Sequence, residues 1–155
     1  MRYWLMKSEP SECSIDQVAR APRQTVAWQG VRNFQARNFM RDDMHVGDRA
    51  LFYHSSCPQP GIVGFVEVVR EAYPDESQFD PASPYYDARS VRDAPRWCHV
   101  DVRLLRKTRL VGLAEMRGLA ALSGMLTLRR GNRLSITPVT AEEWYAVLDA
   151  AARPG

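Results

Sequence analysis

Residues 62–69, IVGFVEVV, are β-branched and almost continuously apolar. A run of that kind fits a strand buried on both faces, so the rest of the chain must cover two sides of a sheet. Residues 49–54 (RALFYH) read as a second strand, and a Pro58–Gly61 turn lies between the two. Two strands this close in sequence pair antiparallel as a hairpin.

The remaining elements are short. Residues 2–7 (RYWLMK) read as an opening strand, with small strands at 25–28 (TVAW) and 133–137 (RLSIT). Residues 97–105 alternate, with Val100, Val102 and Leu104 facing inward and His99, Asp101 and Arg103 facing solvent. Ser14 with Gln17, and Thr140 with Glu143, are capping boxes that open helices running to about Arg20 and Ala151. Residues 31–44 carry a helical pattern with Asn33 as N-cap and Ala36, Phe39 and Met40 on the apolar face. Residues 71–96 hold four prolines and read as a long irregular segment, which in a compact fold is usually functional or a packed lid. The expected class is α+β: one domain over residues 1–155, a small, mostly antiparallel sheet or barrel edged by short helices.

Composition narrows the function classes. With 155 residues, 45% of them hydrophobic, the chain can bury a core without staples. It has no apolar run long enough to span a membrane and no signal-peptide pattern, so the expected location is the cytoplasm. Cys13, Cys57 and Cys98 form no CxxC pair, the three histidines are scattered, and neither metal nor cofactor is expected. The net charge is only +3, but nearly all the cations are arginines, clustered at 103–109 and 129–133. Arginine suits bidentate phosphate contacts, although solvated faces explain such clusters as well. No GxSxG, GxxxxGK[ST], HExxH or GxGxxG motif is present.

Aromatic residues beside polar ones are more informative. Trp144 sits on the capped last helix and reads as core, whereas Trp4, Trp28 and Trp97 each lie next to polar residues at a strand end. A planar base stacks on such rings while neighbouring polar groups read its edge. The stretch 28–38, WQGVRNFQARN, adds arginine and amide side chains of the kind that pair with base edges or phosphates. Gly30 within it permits close backbone approach or a positive φ.

The blocks YWLMKSEP (3–10), WQGVRNFQARNFMRD (28–42), LFYHSS (51–56), GIVGFVEV (61–68), PRWCHVDV (95–102) and RRGNRLSITPVT (129–140) together resemble the EVE domain, in the same order and over nearly the whole chain. The resemblance implies a PUA-like fold, a mostly antiparallel β pseudobarrel flanked by short helices, with kinship to PUA, YTH and ASCH domains. It also implies a non-catalytic module that recognises a modified base, above all 5-substituted cytosine in DNA, extruded into a pocket. Carried onto this chain, the base pocket comprises Trp4, Lys7, Ser8, Glu9, Trp28, Arg32, Asn33, Tyr53, His54, Ser55 and Trp97, with Trp28 and Trp97 sandwiching the base. Arg37, Arg130 and Arg133 are the expected phosphate contacts. The expected partner is modified DNA or RNA, with an effector protein supplied in trans and association with the nucleoid if DNA is the ligand. A PUA-like RNA reader, a small nucleotide-acting enzyme using His54 or Glu9, and a sensor of a nucleoside-like metabolite stand as alternatives.

Overall fold

The computed structural model describes residues 1–155. Its strands are β1 (Tyr3–Ser8), β2 (Thr25–Ala27), β3 (Arg49–His54), β4 (Gly61–Pro74), β5 (Cys98–Gly112) and β6 (Ile136–Val139), and they form one sheet in the order β2-β5-β4-β3-β1-β6. The helices are α1 (Ile15–Arg20), α2 (Phe34–Asn38), α3 (Leu113–Gly118) and α4 (Ala141–Ala152). The expected hairpin is β3–β4, antiparallel, with Ala50 opposite Val66 and Leu51 opposite Phe65. All pairings are antiparallel except β1 with β3.

Successive side chains of β1 and β3 point to opposite faces, and both faces are apolar. Trp4, Met6, Ala50 and Phe52 enter one core, joined by Val66, Val68, Val100 and Val102. Leu5, Leu51 and Tyr53 enter a second core with Ile62, Phe65 and Trp144. This two-sided burial is why these strands lack alternation in sequence. Each fully buried Val, Leu or Phe contributes about 1.5–3 kcal/mol. Ile15 and Val18 of α1, with Ala36 and Met40 from the helical segment, cover the first core, while Met116 of α3 and Trp144 and Val147 of α4 cover the second. This is the expected α+β arrangement, a mostly antiparallel sheet flanked by short helices.

Both capping boxes form. The Gln17 N–H donates to Ser14 Oγ (3.2 Å) and the Ser14 N–H to Gln17 Oε1 (2.6 Å). The Glu143 N–H donates to Thr140 Oγ1 (3.1 Å) and the Thr140 N–H to Glu143 Oε1 (2.9 Å).

Four local expectations change. The helical pattern of 31–44 resolves into α2 and a π turn at Phe39–Asp43, closed by the Met44 N–H on the Phe39 carbonyl (2.9 Å). Ala36, Met40 and Met44, four residues apart, thereby all stay in the first core. The last strand forms at Ile136–Val139 rather than at 133–137, because residues 129–134 are taken up by a turn in which the Leu134 N–H donates to Asn132 Oδ1. The strand expected at 97–105 begins at Cys98 and continues to Gly112. His99 faces inward, 7% exposed, because Tyr73 packs on its ring with centroids 4.3 Å apart.

Candidate functional site

β1, β2 and β3 finish near one another, and the loops that leave them enclose a cleft of about 850 Å³. Its floor is stitched by two backbone hydrogen bonds, from the Ser55 N–H to the Ser8 carbonyl (2.9 Å) and from the Lys7 N–H to the Ser135 carbonyl (2.8 Å). Lys7, Ser8 and Glu9 line one side, residues 26–33 another, and Ser55, Ser56 and Arg133 complete the rim.

The wall at 28–33 is held by a carboxylate from the long irregular segment. Asp75, 1% exposed, accepts the Gly30 N–H (2.9 Å) and Arg32 Nη1 (3.2 Å) on Oδ2, and the Ser77 N–H (2.9 Å) and hydroxyl (2.5 Å) on Oδ1. Burial pushes this carboxyl up, but the hydrogen bonds from Gly30 and Ser77 and the charge of Arg32 outweigh it and hold the group below the usual carboxylate range. Arg32 also donates through Nε and Nη2 to the Tyr85 carbonyl (3.0 and 2.8 Å), which fixes the tip of the same segment against the cleft. The Tyr85 ring lies directly on Gly30: a Cβ there would stand 2.7 Å from Tyr85 Cζ, and Gly30 has φ +84°. No other residue meets both demands at no cost. The Tyr85 hydroxyl donates to Glu12 (2.6 Å), and this bond together with burial raises its pKa to about 12.

Other lining groups remain available. Burial alone pulls the Lys7 ammonium below the ordinary lysine range. Ser8 lines the cleft, and because its hydroxyl donates to the Cys13 carbonyl (2.6 Å) its oxygen is left to act only as an acceptor. Asn33 is the N-cap of α2, its Oδ1 taking the Ala36 N–H (3.0 Å), which leaves its amide nitrogen as a donor. Trp28, 7% exposed, lines the cleft and sets its ring edge-to-face on Phe52.

The structure thus brings together Lys7, Ser8, Glu9, Trp28, Arg32, Asn33, Ser55 and Arg133 of the expected set, and leaves the others outside the lining. Trp4 is core: its Nε1–H donates to Asp48 (3.1 Å) and its ring packs on Phe39. Tyr53 belongs to the second core. His54 accepts the Ile15 N–H on Nε2 (3.1 Å), which makes it a support for the start of α1, and burial lowers its pKa. Trp97 donates Nε1–H to Asp87 (2.8 Å) and stacks on Phe34 instead of facing Trp28. The second ring of the cleft is Tyr85. Among the expected phosphate contacts, Arg37 is engaged with the Asn38 side chain and the Arg96 carbonyl, and Arg130 is exposed outside the cleft. Asp75, which ends the block AYPD (72–75), is absent from the expected site because its contacts with Gly30 and Arg32 arise only in the fold. Tyr85 stood in the segment singled out as functional or a lid. No group of three or more His, Cys, Asp or Glu is placed to hold a metal ion.

The chain is similar to known proteins over nearly its whole length. The family model described as "EVE domain" matches residues 2–150. Thymocyte nuclear protein 1 from mouse is 45% identical over 163 residues, covering 94% of this chain and 72% of that protein. A crystal structure of human THYN1 protein in complex with 5-methylcytosine containing DNA superposes with a TM-score of 0.94 at 41% identity, covering 100% of both chains. A Pseudomonas putida protein of known crystal structure gives a TM-score of 0.90 at 47% identity, covering 95% of this chain and 97% of that one.

Proposed function

The chain belongs to the EVE domain family, and from that premise we propose that its cleft is a non-catalytic reader of a 5-substituted cytosine turned out of duplex DNA. One observation carries the reading: beside the Trp28 ring, the available polar groups are complementary to the edge of cytosine. Ser8 Oγ and the Glu9 carboxylate accept, as the exocyclic amine requires, while Lys7 and the Asn33 amide donate, as the ring nitrogen and carbonyl require. The part of Trp28 that reaches the cleft, with the residue 7% exposed, supplies stacking worth at most about 1–3 kcal/mol for a base. Val26, Ala27 and Val31 give the lining an apolar part for a 5-methyl group. Exposed Arg133 at the rim, with no acidic partner, meets a phosphate. That a solved relative, 41% identical, is in complex with 5-methylcytosine containing DNA supports modified DNA as the ligand.

Burying one methyl is worth about 0.8 kcal/mol, a preference of about fourfold. The test is titration of methylated, hydroxymethylated and unmodified duplexes, and of RNA of matching sequence, at several salt concentrations. Affinity for all the polymers falls with salt, while the methylated-to-unmodified ratio stays at about four or more. Ser8→Ala and Glu9→Ala lower the affinity for the methylated duplex. Equal affinity for methylated and unmodified DNA at every salt concentration, or tighter binding of the RNA, overturns the reading.

A further inference from the structure

Phe34 is the first residue of α2 and follows Asn33 of the cleft wall directly, yet it is 51% exposed. An apolar ring at that exposure is an ordinary accident when it stands alone, but this one is braced. It stacks on Trp97 with centroids 4.7 Å apart and planes at 25°, and the Arg37 guanidinium lies 4.7 Å from its centroid. Trp97 in turn is anchored by its bond to Asp87, and Arg37 by its bond to the Arg96 carbonyl. The ring therefore has a rigid footing, and it stands beside the cleft, joined to it through Asn33, with the Arg32 guanidinium 5.3 Å from the Trp97 ring centroid. Tyr86, 44% exposed, repeats the arrangement after the lining residue Tyr85, but no ring or guanidinium braces it.

Resting on the reading of the cleft given above, we propose that Phe34 is the wedge that enters the duplex and occupies the stack vacated by the turned-out base. Turning a base out of a paired stack costs a few kcal/mol, and an apolar ring inserted at the step offsets that cost. Its footing matters because a ring free to swing would lose freedom on insertion. The occupant is a base-pair step of double-stranded DNA: the face around Phe34 carries Arg37, which has no acidic partner and whose positive charge complements a flanking phosphate, and it continues through Asn33 into the cleft that takes the base.

The wedge serves only the opening of a paired stack, so the test compares paired and unpaired probes. Wild type, Phe34→Ala and Phe34→Leu are titrated with a 5-methylcytosine duplex, with its unmodified counterpart and with the same methylated strand alone, and 2-aminopurine beside the target reports unstacking. Wild type prefers the methylated duplex; Phe34→Ala weakens that complex by about tenfold or more and loses the fluorescence rise. Its affinity for the single strand stays within about twofold, and Phe34→Leu restores part of the duplex affinity. If wild type prefers the methylated duplex but Phe34→Ala weakens both probes equally, or neither, the wedge is overturned and the cleft reading stands. If wild type shows no preference for the methylated duplex, the cleft reading itself falls and the wedge with it.

Discussion

Gly30→Ala is the substitution whose cost the structure specifies most closely. The backbone at φ +84° imposes about 1–2 kcal/mol on any residue with a Cβ. The new methyl would also stand 2.7, 2.9 and 3.0 Å from three atoms of the Tyr85 ring. The ring must then move, breaking its hydroxyl bond to Glu12 and disturbing the Arg32 guanidinium 5.5 Å from its centroid. Overpacking of this kind adds about 1–2 kcal/mol, for a total of about 2–4. A double-mutant cycle separates the two parts. In a Tyr85→Ala background the ring is gone and Gly30→Ala costs only the backbone part, about 1–2 kcal/mol, so the coupling between the sites is about 1–2. Gly47→Ala is the internal control: φ is +96° but nothing lies within 4 Å of the new Cβ, so it carries the backbone cost alone. Urea denaturation of the four cycle members and the control, read as midpoint at constant slope, supplies the numbers. If Gly30→Ala costs the same with and without the Tyr85 ring, the ring is not what confines this wall, and the account of the cleft given above fails.

Three further outcomes follow from the same geometry. Asp75→Asn places an amide among four donors and costs about 3 kcal/mol at neutral pH; because the folded-state pKa of Asp75 is depressed, its contribution is full above about pH 4 and is lost as pH falls toward that lower value, so denaturation curves of wild type and variant converge in acid. His99 has a depressed pKa, burial outweighing the opposing pull of Asp75, Asp101 and the Pro74 carbonyl, with Arg70 adding to the depression. Wild-type stability therefore declines as pH drops below about 6.5. His99→Leu, which removes a buried Nδ1 without a partner, flattens that decline in a thermal-melt pH series. Arg133→Gln weakens methylated and unmodified duplexes alike and reduces the slope of log affinity against log salt by about 1, as measured by fluorescence anisotropy.

The parts of the fold that sequence revealed are those fixed by local chemistry. The β3–β4 hairpin, the two capping boxes and the Asn33 cap each depend on residues within a few positions of one another. Parallel pairing of β1 with β3 was illegible, because Leu5 and Leu51 become neighbours only through the tertiary fold. The cleft was legible where one block supplied several of its residues, as at 7–9 and 28–33, and failed where aromatics were judged singly. Trp4, Trp28 and Trp97 look alike in sequence, and what separates them is the partner of each ring: Asp48 for Trp4, Asp87 for Trp97, and Phe52 for Trp28, which alone of the three also lines the cleft. His54 and Tyr53 illustrate the same limit, since one side chain supports α1 and the next belongs to the opposite core.

β1 lies between β3 and β6, so the strand laid down first is completed by the strand laid down last. The Lys7–Ser135 bond continues that seam into the cleft itself. On the ribosome, then, a growing chain can close the β3–β4 hairpin early but cannot assemble a recognition surface until residues 132–139 have emerged. A chain halted short of β6 is left with an unpaired margin along β1, open to quality control, and with a cleft that lacks the wall supplied by Asn132, Arg133 and Ser135.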